Sequence, residues 1–156
     1  MAEPVDMAAV AGAVLIDSAR EAAANAHAPY SSFAVGAALL LDDGSVITGA
    51  NFENASYGLS LCAETVAVAT ANAAGRLRDI VAIGVVGGRI ENGGLAGTDP
   101  VRPCGRCRQI LNEAAQIGGR DIAVHCGSAD GSAIEHFTLA ALLPHAFGPN
   151  DLGIDR

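Results

Sequence analysis

Three cysteines limit what this chain can fold into. Cys104 and Cys107 stand three apart in Pro103-Cys104-Gly105-Arg106-Cys107, a spacing that places both sulfurs on one side of the first turn of a helix. Cys62 opens a separate stretch, Cys62-Ala63-Glu64, at the start of a different predicted helix. Three thiols of this kind can hold a zinc ion if the fold brings two helix starts together. A structural zinc site closes its tetrahedron with four protein ligands, whereas a catalytic one stops at three and leaves a position open. Cys126, His125 and His136 could be offered as a fourth ligand, but each sits at a strand end without paired spacing. Cys126 reads instead as a small buried hydrophobe, and the centre reads as the open kind.

The rest of the pattern supplies those helix starts. Met7, Val10, Val14 and Leu15 recur at helical spacing from Asp6, placed as an N-cap, to about Ala26. His27-Ala28-Pro29 ends that helix, and His27 is a helix-end residue rather than a ligand. Phe33 to Leu41 and Ser45 to Phe52 read as two antiparallel strands around an Asp43-Gly44 turn. Ser60 is the expected cap of a buried helix running to about Ala74 and stopped by Gly75. A strand over Ile80 to Gly87 follows. Gly88 to Pro100 holds four glycines and no periodicity, so it is expected to be a surface loop. Pro103 and Cys104 begin a helix in which Cys107, Ile110, Leu111 and Ala114 share a side, with Gly118-Gly119 as its stop. Strands over Asp121 to His125 and Ile134 to Thr138, joined by a turn at Asp130-Gly131, precede a short helix at Leu139 to Leu143. The alternation predicts an α/β fold: a three-layer α/β/α arrangement with a mixed five-stranded sheet. Residues 1–156 read as a single domain, without a repeat or a linker.

Charge narrows the ligand. Nine basic against seventeen acidic side chains give a net charge of −8, a sign that opposes phosphate backbones, since nucleic-acid affinity comes largely from Lys and Arg. A small molecule is therefore favoured over a polynucleotide. Acids stand near Met1 where an export signal would carry basic residues, and no apolar run is long enough to span a bilayer. A cytoplasmic protein without membrane association is expected. In that compartment four cysteines are ligands or free thiols rather than two disulfides.

Glu64 completes the chemistry. It follows Cys62 by two residues, so it can lie beside the ion without ligating it. Zinc lowers the pKa of a bound water, and a neighbouring carboxylate can take that proton and hand it on. The two positive helix ends are expected to offset the negative charge of three thiolates and to lower the thiol pKa values. A Glu after the first ligand together with Pro-Cys-x-x-Cys is the pattern of zinc-dependent nucleobase deaminases.

These residues resemble the small cytidine deaminase family, of the homotetrameric type with three Cys ligands. The likeness extends from Ala28-Pro29-Tyr30-Ser31-Ser32-Phe33 through Asn51-Phe52-Glu53-Asn54-Ala55-Ser56-Tyr57 to Pro103-Cys104-Gly105-Arg106-Cys107-Arg108-Gln109 and Leu142-Leu143-Pro144-His145-Ala146-Phe147. It implies a cytidine-deaminase-like fold holding Zn²⁺ and a cytosine nucleoside as substrate. The implied reaction is deamination of cytidine and 2′-deoxycytidine in pyrimidine salvage, with zinc-bound hydroxide attacking C4 and Glu64 as proton shuttle. The same resemblance implies that Asn51 and Glu53 bind the ribose 3′-hydroxyl and that Phe33 lies near the pyrimidine face. Ala63 and Glu64 would read the base, Ala55 and Tyr57 would approach the site in the tetramer, and Phe147 would lie near a neighbouring subunit's pocket. One position departs from the family: Thr65 stands where many members place an Arg that donates to the zinc thiolates. Arg106, Arg108 or Arg76 is expected to compensate. Two rivals remain at this point, a deaminase of blasticidin S, which the Pro-Cys-Gly-Arg-Cys-Arg-Gln stretch also resembles, and a non-catalytic module stabilised by zinc. A polynucleotide deaminase is disfavoured by the charge.

Overall fold

A computed structural model describes residues 7–154. The expected Asp6 cap lies outside the described residues, as do the side chains of Met7 and Val10. Helix α1 (Met7–Ala23) buries Leu15, Ile16, Ala19 and Ala23, a stripe at three- and four-residue spacing that faces the sheet. Val14 falls off that stripe and is 53% exposed, contrary to the expected apolar side. The helix stops at Ala23, short of Ala26, and His27 instead joins the segment after β2 through His27 N–H to Asn51 O and Glu53 N–H to His27 O.

Strands β1 (Phe33–Leu41) and β2 (Val46–Ala50) form the expected hairpin, with Gly44 at φ 87° in its turn. With β3 (Ile80–Glu91), β4 (Gly94–Ala96), β5 (Ala123–Ser128) and β6 (Ile134–Thr138) they make a sheet of order β2-β1-β3-β5-β6, to which β4 adds by pairing with β3. Only β3 and β5 run parallel, so the sheet is mixed.

The sheet has six strands rather than five, because the glycine-rich stretch expected to be a loop contains a hairpin. Asn92 and Gly93 both take positive φ, 51° and 77°, between the paired residues Glu91 and Gly94. This is the two-residue turn whose twist matches that of its flanking strands, and Asn-Gly is its favoured sequence. Four glycines in the stretch obscured that signal.

Helices α2 (Ala63–Ala73) and α3 (Gly105–Gly118) cover the face opposite α1, giving three layers. One core lies under α2 and α3 and includes Leu39, Leu41, Ile83, Val85, Leu111 and Val124. A smaller one lies under α1 around Leu15, Ile16, Ala38 and Val86. Fully burying a residue of this size contributes roughly 1.5–3 kcal/mol. Helix α2 is not apolar all round as expected: Ala63, Glu64, Ala67, Val68 and Ala71 are buried, while Ala69, Thr70, Asn72 and Ala73 face water. Alanine tolerates either setting, so an alanine-rich helix conceals which side packs.

Gly49 on β2 seats the first turn of α2. A Cβ there would lie 2.6 Å from Ala63 O and from Ala67 N, both backbone atoms that cannot swing aside. Gly49→Ala is expected to lower stability by about 1–3 kcal/mol, the usual cost of overpacking. The substitution also tilts the turn that holds Glu64, so thermal denaturation and turnover should fall together; an unchanged melting temperature would contradict this seating.

Candidate functional site

Both chemical stretches end up at helix starts on the same side of the sheet. Cys62 is the N-cap of α2 and Cys104 the N-cap of α3, and neither side chain is spent on capping. The expected cap Ser60 belongs to a preceding turn, where its Oγ accepts the Asn54 N–H at 3.1 Å. Cys107 lies in the first turn of α3 and is fully buried, Cys62 is half-buried, and Cys104 is exposed.

The three sulfurs lie within 4.8 Å of one another, and those of Cys62 and Cys104 are 3.9 Å apart. Thiolates at about 2.3 Å from a tetrahedral zinc are separated by roughly 3.8 Å, so the donor set fits that ion. Among the described residues no other His, Cys, Asp or Glu joins the group. Cys126 is fully buried in the larger core, and burial above all pushes its thiol up to about 12. His125 and His136 face each other instead, Nδ1 to Nδ1 at 2.7 Å. Three protein ligands leave one tetrahedral position open, which is the arrangement of a catalytic site.

The thiols do not behave uniformly. Burial raises Cys62 and Cys107 above the ordinary thiol range, against the expected lowering. Cys104 alone goes down: desolvation opposes the change, but the nearby Cys107 N–H and the other two thiols outweigh it. At Cys62 and Cys107 burial outweighs the helix ends, and the negative charges of the sulfurs oppose one another.

Glu64 sits in the first turn of α2 with 4% of its surface exposed. Desolvation raises its carboxyl above the usual range, offset in part by hydrogen bonding from its own backbone N–H and from the Cys107 thiol. A buried carboxyl raised in this way holds a proton more readily than an exposed one, as a proton-transfer group beside an attacking water requires.

A cleft of about 230 Å³ opens in front of these groups. Its wall is formed by Val35, Asn51, Glu53, Ser60, Leu61, Cys62, Ala63, Glu64, Val101, Arg102 and Cys104. Ligand pockets for drug-sized molecules begin at roughly 300 Å³, so one chain encloses a small molecule or part of a larger one. Sequence reasoning missed Val35, Ser60, Leu61, Val101 and Arg102. The last two immediately precede Pro103-Cys104, and chain proximity to a ligand pair was the available signal. Arg102 forms an ion pair with Glu135 of β6.

Asn51 and Glu53 reach the cleft while also building its rim. The Asn51 amide accepts the Val35 N–H and donates to Phe33 O, both at 2.9 Å, extending the β1–β2 ladder beyond Ala50. Glu53 accepts the N–H groups of Tyr30 at 3.0 Å and Ser31 at 3.2 Å, and the Ser31 hydroxyl. The Ser31 hydroxyl bond is the main cause that holds its carboxyl below the ordinary range.

Phe33 is half-buried at the start of β1 and is not part of the cleft wall. Nor is Phe147, which stands 61% exposed on the segment after α4 (Leu139–Leu142). Gln109 Nε2 and Asn112 Nδ2 of α3 both donate to Phe147 O, at 2.8 and 3.1 Å, so the helix that begins with Cys104 also holds this segment.

Among the described residues no arginine hydrogen-bonds to the three sulfurs in place of the one missing at Thr65. Arg76 is taken by Asp42, Asp43 and Asp79, and Arg108 donates to Pro103 O and Leu142 O. Arg106 is exposed. The added donor is Thr65 itself, whose Oγ lies 3.4 Å from the Cys107 sulfur.

Comparison with known proteins agrees with this site. The family model for the cytidine and deoxycytidylate deaminase zinc-binding region matches residues 12–121. The chain is 47% identical to a cytidine deaminase of Halalkalibacterium halodurans over 89% of its own length and 96% of that protein's. A cytidine deaminase of Mycobacterium tuberculosis is 43% identical, with 92% and 94% covered. The crystal structure of cytidine deaminase from Burkholderia pseudomallei superposes with a TM-score of 0.73 at 43% identity, covering 86% of this chain and 98% of that one.

Proposed function

The chain belongs to the cytidine and deoxycytidylate deaminase zinc-binding family, and from that premise we propose that it hydrolyses cytidine and 2′-deoxycytidine to the corresponding uridines with release of ammonia. The observation that carries the reading is the convergence of three thiols at two helix starts beside one buried carboxyl. Cys62, Cys104 and Cys107 hold the zinc. When bound, the ion supplies the Lewis acidity that makes water a nucleophile at neutral pH.

This chain's own groups do the rest. Glu64 accepts one proton of the attacking water at its carboxylate and delivers it to N3 of the base; it then takes the second, from the hydroxyl newly bonded to C4, and delivers it to the amine as the C4–N bond breaks, leaving the uridine carbonyl and ammonia. Burial raises its carboxyl, which makes it a stronger base for the first half of that task, while it remains an acid that can return the proton. The backbone at Ala63, fully buried at the cleft floor, fixes the edge of the base. Asn51 and Glu53 present polar atoms to the sugar, since each retains bonding capacity beyond its contacts with β1 and the Tyr30-Ser31 turn. Phe33 stiffens the neighbouring wall: its ring stands beside Val35 and Val101 over Gly87.

Phe147 lies outside its own chain's cleft wall and is 61% exposed, which leaves its ring free to meet the cleft of a second copy of the chain. A homotetramer in the cytoplasm is the assembly and setting of this reading. Among the described residues no helix is long and apolar enough to cross a membrane. The net charge of −8 favours a free nucleoside over a nucleic acid.

Turnover followed by absorbance against cytidine, 2′-deoxycytidine, cytosine and blasticidin S, with zinc measured on the same sample, tests the proposal. Conversion of the two nucleosides by zinc-loaded protein is expected. Exclusive conversion of blasticidin S, or no conversion by protein containing zinc, would contradict it.

A further inference from the structure

We propose that Thr65 is a positioning residue of the metal centre, its hydroxyl donating a hydrogen bond to the Cys107 sulfur and so holding that ligand on the ion. This rests on the zinc-thiolate reading of the site. The contact is 3.4 Å and crosses from α2 to α3. A metal-bound thiolate has no proton to give, so the hydroxyl is the donor.

The behaviour of a second threonine in the same helix sets the contact apart. Thr70 does what a helical threonine ordinarily does, donating back to the carbonyl four residues earlier, Val66 O, at 2.8 Å. Thr65 has no such bond. The carbonyl it would use, Leu61 O, already accepts the Phe52 N–H at 2.9 Å, and the Thr65 hydroxyl turns across to the neighbouring helix instead.

Cys107 is also the ligand most in need of a donor. Its side chain is fully buried and beyond the reach of water, whereas Cys104 is exposed. Among the described residues Thr65 is the only hydroxyl within hydrogen-bonding distance of any of the three sulfurs, and no guanidinium bonds to them. Groups that hydrogen-bond to metal ligands fix their orientation, and their loss typically weakens metal binding by about 10–100-fold. One turn of α2 thus carries a ligand, the acid and the donor for the ligand on the opposite helix.

The test measures the zinc affinity of the holoprotein by competition with a chelator, alongside the thiolate-to-metal charge-transfer bands of the cobalt-substituted protein. Thr65→Val keeps the shape and removes the donor; it is expected to bind zinc at least about 10-fold more weakly and to shift the cobalt bands. Thr65→Ser should keep the parental affinity and bands. Should Thr65→Val fail to fold, Thr65→Ala removes the same hydroxyl with less bulk against Cys107, and the same comparison applies. Parental affinity and bands without the hydroxyl would overturn the inference while leaving the zinc reading intact, and so would equal losses in the Val and Ser variants. Parental protein that binds no zinc would overturn both.

Discussion

Glu64→Gln is expected to lower kcat by at least about 10²–10⁴-fold, the usual contribution of a positioned proton-transfer group, while the protein stays folded and keeps its zinc. Gln matches Glu in shape but cannot accept and return a proton. The three ligands belong to other residues, so metal content should not move.

The same substitution has an effect on stability whose sign follows from burial. Desolvation raises the Glu64 carboxyl in the folded state above the ordinary 4.5 of a free glutamate. The folded chain therefore binds more protons than the unfolded chain across that window. Its stability is greatest, with respect to this group, below the unfolded value and falls as pH rises through the folded one. At neutral pH the buried acid is a cost, and removing it should leave Glu64→Gln at least as stable as the parent. The difference should shrink as pH falls toward 4.5. Such a trade of stability for activity is common at catalytic groups. Melting curves of both proteins from acid to neutral pH, paired with kcat, check the two claims together. A variant that keeps parental turnover would remove Glu64 from the mechanism.

Cys107→Ala carries the second large effect. This thiol is fully buried, and its sulfur lies within 4.8 Å of those of Cys62 and Cys104, so an ion held by the three would tie α3 to the start of α2. With two ligands left the site should lose zinc and all measurable turnover. Because metal binding counts toward folding, the variant should also lose the stabilisation the ion gives, about 4 kcal/mol where free zinc stands at a thousand times its Kd. Stripping zinc from the parent with a chelator should bring the two proteins to similar melting temperatures. Full zinc content in Cys107→Ala would mean that this residue is not a ligand.

Much of this was legible in the sequence because it depends on local rules. Thiols three apart at a helix start, a Glu two residues after Cys62, and turns at Asp43-Gly44 and Asp130-Gly131 each constrain nearby backbone, and each appears as read. The sixth strand was missed because composition spoke louder than order: an Asn-Gly turn signal lay inside a run of glycines. Faces made of alanine were misjudged for a related reason, since only the partner surface decides which side of α1 or α2 is buried.

The cleft was less legible than the metal ligands. Val35, Leu61, Val101 and Arg102 become its wall only when β1 and two loops meet, which no single stretch announces. Asn51 and Glu53 were found, but their bonds to Phe33, Val35 and the Tyr30-Ser31 turn give them a structural duty that local reading did not foresee. The compensating arginine failed for an electrostatic reason. Arg76 and Arg108 already have partners, and a neutral hydroxyl occupies the position instead.

X-ray absorption at the zinc edge, on purified protein with its metal content counted, addresses the coordination directly. One zinc per chain with three sulfur neighbours at about 2.3 Å and a single lighter neighbour at about 2.0 Å is the expected result. Four sulfurs, or a nitrogen ligand from a histidine in place of the lighter neighbour, would describe a closed structural site and contradict the account.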